Sequence, residues 1–235
     1  MGRHFEVRAK AMAQTAAKKT AIYTRASKEI YMAAKSGIPN PESNLALRSA
    51  IDKWKGQSVP KDVIERAIKK AQGGDAESYI EGRYEAFGPG GSYIIVDSLT
   101  DNVNRAASEI KAAITKKGGH MGSVIYNFQE TGVFVFKGTN RDEVEETLIL
   151  GDVDVREVNL DDDTIEVLVE PTAFGAAKSA LNEMGITDFE VSEITFIPNE
   201  TITIPEGDDK DKFTQLLDML DDLQDVQNVY HNVEL

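Results

Sequence analysis

The chain has 235 residues, 41% of them hydrophobic, and a formal net charge of −14. This composition is typical of a globular protein with two or three domains, and no apolar run approaches the roughly 20 residues that a membrane span needs. The absence of cysteine excludes disulfides, thiolate nucleophiles and cysteine-ligated zinc or iron–sulfur sites. We expect a cytoplasmic protein without a membrane partner. The Arg, Lys and Ala content of the first 20 residues resembles a mitochondrial transit peptide, but Glu6 and the shortage of Ser and Leu argue against one.

Charge is distributed unevenly along the chain. Residues 1–72 contain 15 Lys and Arg against 6 Asp and Glu, a net charge of +9, whereas residues 73–235 contain 11 against 34, a net charge of −23. A chain whose halves differ this much in sign usually has its polyanion site in the basic half. The acidic half would repel a phosphate backbone, so we expect it to face away from nucleic acid or to contact protein.

Three short helices are predicted in the basic half, after a basic arm of residues 1–20. They cover residues 21–36, 43–55 and 61–72, and each has apolar residues at three- and four-residue spacing. The third begins after a proline and ends at the double glycine of residues 73–74. We expect the three apolar faces to share one small core.

Beyond the double glycine the hydrophobic period changes from helical to alternating. Strands are predicted at residues 83–87, 92–97, 123–128, 132–136, 153–158, 164–169, 189–196, 201–204 and 226–233, and helices at 102–117, 141–150, 174–184 and 211–223. The succession over residues 132–196 is βαββαβ, the order of a ferredoxin-like unit. The last three elements have no partners of their own. We pair them with residues 78–128, which makes the ferredoxin-like unit an insertion.

Two glycine-rich segments invite a phosphate-binding interpretation. GPGG at residues 88–91 joins strand to strand and is not followed by Gly-Lys-Ser/Thr, which favours a tight turn. KKGGHMG at residues 116–122 leaves two interpretations open. It is either backbone that approaches an anion, flanked by two lysines and a histidine, or the C-terminal cap of a helix.

No catalytic, metal or cofactor site is predicted. His4, His120 and His231 are far apart in sequence, and the acidic clusters lack the spacing of an EF-hand loop. No convergent acid, base and nucleophile is visible, so we do not expect an enzyme. Phe134 and Phe136 loosely resemble the base-stacking strand of an RNA-recognition motif, but burial in a core is favoured in this acidic region.

Several motifs together resemble the YebC family, and the resemblance runs through the whole chain. They are PESN at residues 41–44, VPKDVIERAIKK at 59–70, GPGG at 88–91, TDNVNR at 100–105 and KGG at 117–119. The ending DVQNVYHNV at residues 225–233 is similar to the YeeN-type branch. Two departures stand out. The start is Gly-Arg-His-Phe-Glu where the family has Gly-His-Ser-Lys-Trp, and the loop of residues 118–124 is shorter than usual.

The resemblance implies an α+β fold with an N-terminal three-helix domain and two ferredoxin-like α/β domains, one inserted in the other. On this basis we predict a helical domain at residues 1–74, a discontinuous α/β domain at 75–130 plus 199–235, and an inserted βαββαβ domain at 131–198.

The resemblance also implies a non-enzymatic regulator of gene expression. Family members include DNA-binding transcriptional regulators, and others, such as the mitochondrial translational activator of cytochrome oxidase subunit I, act on ribosomes and ease translation through difficult stretches such as proline runs. In this sequence no helix carries the Asn, Gln and Arg set that reads bases, and lysines suit sequence-independent phosphate contacts. Ribosomal RNA is therefore the favoured partner and DNA the alternative. The acidic domains would contact ribosomal proteins or solvent, and a monomer is favoured.

The predicted nucleic-acid site consists of basic residues, most of them in the basic half. Within it, Arg48 is expected to pair with Asp52, and Lys53 to be free. The residues predicted to contact phosphates are Arg3, Arg8, Lys10, Lys18, Lys19, Arg25, Lys28, Lys53, Lys55, Lys61, Arg66, Lys69, Lys70, Lys116 and Lys117.

Overall fold

The structure is a computed structural model that describes residues 19–73 and 78–234. Its helices and strands, in chain order, are α1 Lys19–Lys35, α2 Leu45–Gly56, α3 Lys61–Gln72, β1 Ile80–Phe87, β2 Tyr93–Thr100, α4 Val103–Lys116, β3 His120–Met121, β4 Phe128–Lys137, α5 Arg141–Leu150, β5 Val155–Asp161, β6 Thr164–Val169, α6 Phe174–Glu183, β7 Val191–Pro198, α7 Asp208–Asp222 and β8 Val226–His231. N-terminal helices followed by two antiparallel sheets confirm the predicted α+β class. Among these elements no helix is both long enough and apolar enough to cross a bilayer.

Helices α1 to α3, here called the helical unit, bury their apolar stripes in one shared core, as the periodicity predicts. Trp54 belongs to this core and has 2% of its surface exposed. Asn44 caps α2, because its side-chain oxygen accepts a hydrogen bond from the Leu47 amide at 3.0 Å. Its side-chain nitrogen donates to the carbonyls of Ala33 and Ile38, which ties the end of α1 to the start of α2.

The first sheet has the strand order β3-β1-β2-β8, and all its neighbours are antiparallel. Helices α4 and α7 cover one face through Ile110, Ile114, Phe213 and Leu216. The predicted turn at residues 88–91 is confirmed, and Gly90 and Gly91 have the positive φ that glycine adopts without strain. We call β1 to β3, α4, α7 and β8 the first sheet unit.

The second sheet has the order β5-β6-β4-β7, also antiparallel throughout. This order with the βαββαβ succession is that of a ferredoxin-like unit, with α5 and α6 packed on one face. We call residues 128–198 the second sheet unit. In the sequence it lies between β3 and β8 of the first sheet. The boundaries of the three domains stay a prediction.

Phe134 and Phe136 are 0% and 1% exposed and pack in the core between this sheet and its helices. They cannot stack on bases, and the interpretation as core aromatics is confirmed.

Two predicted strands are wrong. Residues 123–128 do not pair as a strand, because the Glu85 carboxylate accepts hydrogen bonds from the Val124 and Ile125 amides, both at 2.7 Å. That segment instead turns into β4. Residues 201–204 make only one parallel bridge, between Ile202 and Val233. Prolines at 198 and 205 flank this segment and limit its pairing.

Candidate nucleic-acid interface

The solvent-facing side of α3 carries the densest group of exposed cations on the helical unit. Its other side is buried through Val63, Ile64, Ala67 and Ala71. The helical period therefore directs the polar residues outward. The exposed cations on this helix are Lys61, Arg66, Lys69 and Lys70. We call them the α3 basic face.

Weak surface ion pairs hold two of these cations. Lys61 lies 3.4 Å from Glu65, and Arg66 lies 2.8 Å from Asp62, each one turn apart along the helix. The side chains of Lys61 and Arg66 are 85% and 72% exposed. Exposed pairs of this kind contribute at most about 1 kcal/mol and are screened by salt. A phosphate can therefore replace the carboxylate without loss of the fold.

The cations of α1 have a different environment. Arg25 donates to the Asp221 carboxylate at 2.6 Å and to the Asp221 carbonyl at 2.7 Å. Lys28 donates to the Asp225 carboxylate at 2.9 Å, and to the carbonyls of Leu99 and Gln224. These bonds join the helical unit to the first sheet unit. Arg25 and Lys28, which were predicted to contact phosphates, are therefore mostly buried and paired within the protein.

Asp225 is the centre of this junction and is only 1% exposed. Its two carboxylate oxygens accept from Lys28 and, at 2.9 and 3.0 Å, from Arg105 at the start of α4. Burial raises the pKa of this carboxyl, but the hydrogen bonds from Lys28 and Arg105 outweigh burial and hold the pKa below its usual value. Asp225 is therefore ionised at neutral pH and fully hydrogen-bonded.

Lys53 of α2 is also internal, and the prediction that it is free is wrong. It donates to both oxygens of Glu29, at 3.2 and 3.0 Å, and Trp54 donates its ring N–H to the same carboxylate. Burial lowers the pKa of the Lys53 ammonium, but the carboxylates of Glu29, Glu193 and Asp97 outweigh it and raise the pKa. Lys53 thus compensates the negative charge of three carboxylates, which lie on α1, β2 and β7.

The predicted pair between Arg48 and Asp52 does not form. Arg48 donates to the carbonyls of Pro41 and Glu42 and fixes the loop before α2. Asp52 accepts instead from Lys178 of α6, at 3.3 Å. This contact joins the helical unit to the second sheet unit, and Lys178 is buried there with 2% of its surface exposed.

The glycine segment after α4 is a helix cap, as one of the two interpretations predicts. Gly118 has a φ of +86° and donates to the Thr115 carbonyl, and Gly119 donates to the Ile114 carbonyl at 3.0 Å. Both amides therefore donate to carbonyls of the last turn of α4 instead of to an anion. Lys116 is exposed there, whereas Lys117 is half-buried and donates to Gln215 of α7.

The remaining predicted site residues fall into two groups. Lys55 is exposed at the end of α2. Arg3, Arg8, Lys10 and Lys18 lie outside the described residues, and the side chain of Lys19, at the start of α1, is not described. The assignment of all these residues to a nucleic-acid site stays a prediction.

Two exposed cations in the described part of the helical unit, Lys35 and Arg48, are missing from the predicted site, and Arg48 is bonded to the Pro41 and Glu42 carbonyls. Lys35, at the end of α1, is exposed, and its ammonium lies 5.8 Å from the centre of the Tyr31 ring. The sequence does signal it, because Lys35 falls outside the apolar stripe of its helix.

Comparison with known proteins places the chain in a family. The model of the TACO1/YebC protein N-terminal domain matches residues 3–74, and the model of the TACO1/YebC second and third domain matches residues 79–233. The probable transcriptional regulatory protein Mfl546 of Mesoplasma florum is 51% identical, and a probable transcriptional regulatory protein of Mycoplasma capricolum is 49% identical, each over the full length of both chains.

Among solved structures, the crystal structure of the conserved hypothetical protein Aq1575 from Aquifex aeolicus is similar, with a TM-score of 0.74 and 32% identity over 94% of this chain and 93% of that one. The family models together match nearly the whole chain, and both the relatives and the solved structure agree with them. The chain belongs to the TACO1/YebC family.

Proposed function

We propose that this protein is a non-enzymatic regulator of gene expression that binds nucleic acid through the α3 basic face. The observation that carries the proposal is the exposure of these four cations, two of which, Lys61 and Arg66, are held by weak surface ion pairs, on a half of the chain with a net charge of +9. Within residues 19–73 and 78–234, the polar contacts described above between the helical unit and the two sheet units come from α1 and α2. The exposed outer side of α3 is where we expect the nucleic acid to bind.

Ribosomal RNA is the favoured partner, and the proposed role is to ease difficult stretches of translation such as proline runs. The exposed cations are mostly lysines, which contact phosphates as point charges and do not select a sequence. The neighbours Asp62 and Glu65 on the same face would oppose close packing against a uniform duplex. A folded RNA offers phosphates on several sides, and the acidic sheet units would then face basic ribosomal proteins or solvent.

DNA-linked regulation is the second candidate, and a specific observation favours it. The two relatives that are 51% and 49% identical carry the name probable transcriptional regulatory protein. In that case the same α3 basic face would contact the phosphates of duplex DNA.

The salt dependence of binding tests the α3 basic face. The double variant Lys69→Glu plus Lys70→Glu should bind ribosomal RNA more weakly, and the slope of log K against log salt should fall in magnitude by about one for each lost contact. Lys111→Glu plus Lys137→Glu is the matched control, since it changes the same charge on exposed lysines of the sheet units. An unchanged slope in the first variant would remove α3 from the site.

Sedimentation of a lysate on sucrose gradients separates the two candidates. Comigration with ribosomal particles that is sensitive to salt and RNase but resistant to DNase supports the translational role. Retention at the top of the gradient together with recovery of DNA fragments supports the transcriptional role.

A further inference from the structure

Three aromatic side chains form a row across one end of the first sheet. Phe87 of β1 lies opposite Tyr93 of β2 on one side and opposite His120 of β3 on the other. Residues directly opposite each other in antiparallel strands point to the same face of a sheet. This face is not the one that α4 and α7 cover, because Phe87 and Tyr93 pack against the cluster of Phe128 and Phe196. We call His120, Phe87 and Tyr93 the aromatic row.

The ring of His120 is both stacked and exposed. It lies nearly parallel to the Phe87 ring, with the ring centres 5.0 Å apart and an angle of 17° between the planes. Tyr93 meets the Phe87 ring edge-on, with the centres 5.7 Å apart. Phe87 and Tyr93 are half-buried, whereas His120 is exposed. Packing on Phe87 therefore fixes one side of the imidazole, and the other side faces solvent.

The charges beside the aromatic row are compatible with a nucleotide. Lys116, at the end of α4, is exposed and lies four residues before His120. The next carboxylate along β1 on the same face is that of Glu85, which accepts hydrogen bonds from two backbone amides at 2.7 Å. Burial raises the pKa of this carboxyl, but these hydrogen bonds outweigh burial and lower the pKa. The negative charge of Glu85 is thus compensated within the protein, and Lys116 would neutralise a phosphate next to the row.

We propose that the aromatic row stacks an unpaired base of RNA on the exposed side of His120. Unpaired bases stack on aromatic side chains, histidine included, while neighbouring cations contact the phosphates. The site rests on the proposed function and extends it, because the α3 basic face supplies phosphate contacts only. Every base has an aromatic face, so the row would favour single-stranded RNA without selecting a sequence.

Two single-stranded RNA probes of about 12 nucleotides test the proposal on the full chain. One consists of adenosines with a central 2-aminopurine, whose fluorescence falls when the base stacks. The other has the same length and charge but carries abasic sites at its central nucleotides. We expect the fluorescence of the adenosine probe to fall on binding. This probe should also bind at least about fivefold more tightly than the abasic probe.

Variants of His120 provide the second measurement. His120→Ala removes the exposed ring and should weaken binding of the adenosine probe by about fivefold or more, with the salt slope as in wild type, because stacking releases no counterions. His120→Phe should restore the affinity, since phenylalanine keeps a ring in the row. Leu150→Ala is the control, at an apolar side chain that is 80% exposed on the second sheet unit, and should leave the affinity unchanged. Circular dichroism checks that all three variants are folded.

Three results would overturn the stacking site. They are equal affinity for the two probes, unchanged affinity in His120→Ala, and an affinity in His120→Phe as low as in His120→Ala. The last would mean that the RNA does not contact the ring.

The variant Lys69→Glu plus Lys70→Glu separates the stacking site from the proposed function, because it should weaken binding of both probes. If wild type binds the two probes equally and through these lysines, the stacking site is wrong and the α3 basic face stands. If neither probe binds to wild type, the proposed function fails together with the stacking site.

Discussion

Helices α1 and α3 belong to the same helical unit and both carry the basic residues that the sequence assigns to one nucleic-acid site. The cations of the two helices lie in different environments. Arg25 and Lys28 of α1 are hydrogen-bonded to carboxylates and carbonyls of the first sheet unit, whereas the cations of the α3 basic face point to solvent. A basic residue on a helix can hold the protein together or bind a partner, and its charge alone does not decide between the two. The groups that surround the residue in the folded chain decide which role it has.

The largest expected effect concerns the carboxylate at the centre of the α1 junction. Asp225→Asn should lower the free energy of unfolding by about 3 kcal/mol, because it leaves the mostly buried Lys28 without its counter-charge and removes one of the two carboxylates that pair with Arg105. Urea denaturation followed by circular dichroism measures the change. Asp154→Asn, at an exposed position of the second sheet unit, is the control and should change little. Equal changes in the two variants would mean that the junction does not stabilise the fold.

The Asp225 carboxylate should also make the free energy of unfolding depend on pH. The pKa of Asp225 is lowered in the folded state, so its stabilising contribution is complete above the unfolded-state value of about 3.9 and is lost as the pH falls through the lower folded-state value. Urea midpoints measured from pH 7 down to about pH 3 test this. The difference between wild type and Asp225→Asn should shrink toward the acid end. If the stability difference between wild type and Asp225→Asn stayed constant over this pH range, the pKa of Asp225 would not be lowered by folding.

Matched lysine substitutions compare the two helices directly. Lys28→Met should cost about 2 kcal/mol of stability, since the partially buried Asp225 pair is broken. Lys69→Met should change stability by less than about 0.5 kcal/mol, as an exposed substitution. RNA binding should show the reverse order, with Lys69→Met weakening it and Lys28→Met leaving the salt slope unchanged. If folded Lys28→Met protein showed a smaller salt slope of RNA binding than wild type, Lys28 would contact the RNA. The distinction between a structural α1 and an RNA-binding α3 would then be wrong.

The smallest expected effect concerns the carboxylates within the α3 basic face. Asp62→Asn removes the partner of Arg66 and should change stability by no more than about 0.5 kcal/mol. Because it also removes a negative charge beside the phosphates, we expect RNA to bind slightly more tightly. Filter binding at low and moderate salt measures this. Weaker binding would indicate that Asp62 orients Arg66 toward the nucleic acid.

The sequence determined the local features of this protein. Helical and alternating periods predicted the three helices, their shared core and most strands, because burial of an apolar face imposes those periods directly. Pro60 marked a helix start through its own backbone preference, and a helix cap was one of the two interpretations of the segment with Gly118. The motifs likewise identified the family before any comparison.

Only the tertiary structure decided which charges are free and which side chains meet. Arg25 and Asp221 are 196 residues apart in the sequence, and nothing in the pattern around either residue signals their pairing. The wrongly predicted strand at residues 123–128 has the same origin, since a distant carboxylate, Glu85, accepts hydrogen bonds from the amides that a strand would use. Periodicity reports whether a residue is buried, whereas the partner of a polar group depends on how whole units pack, and that information is not local.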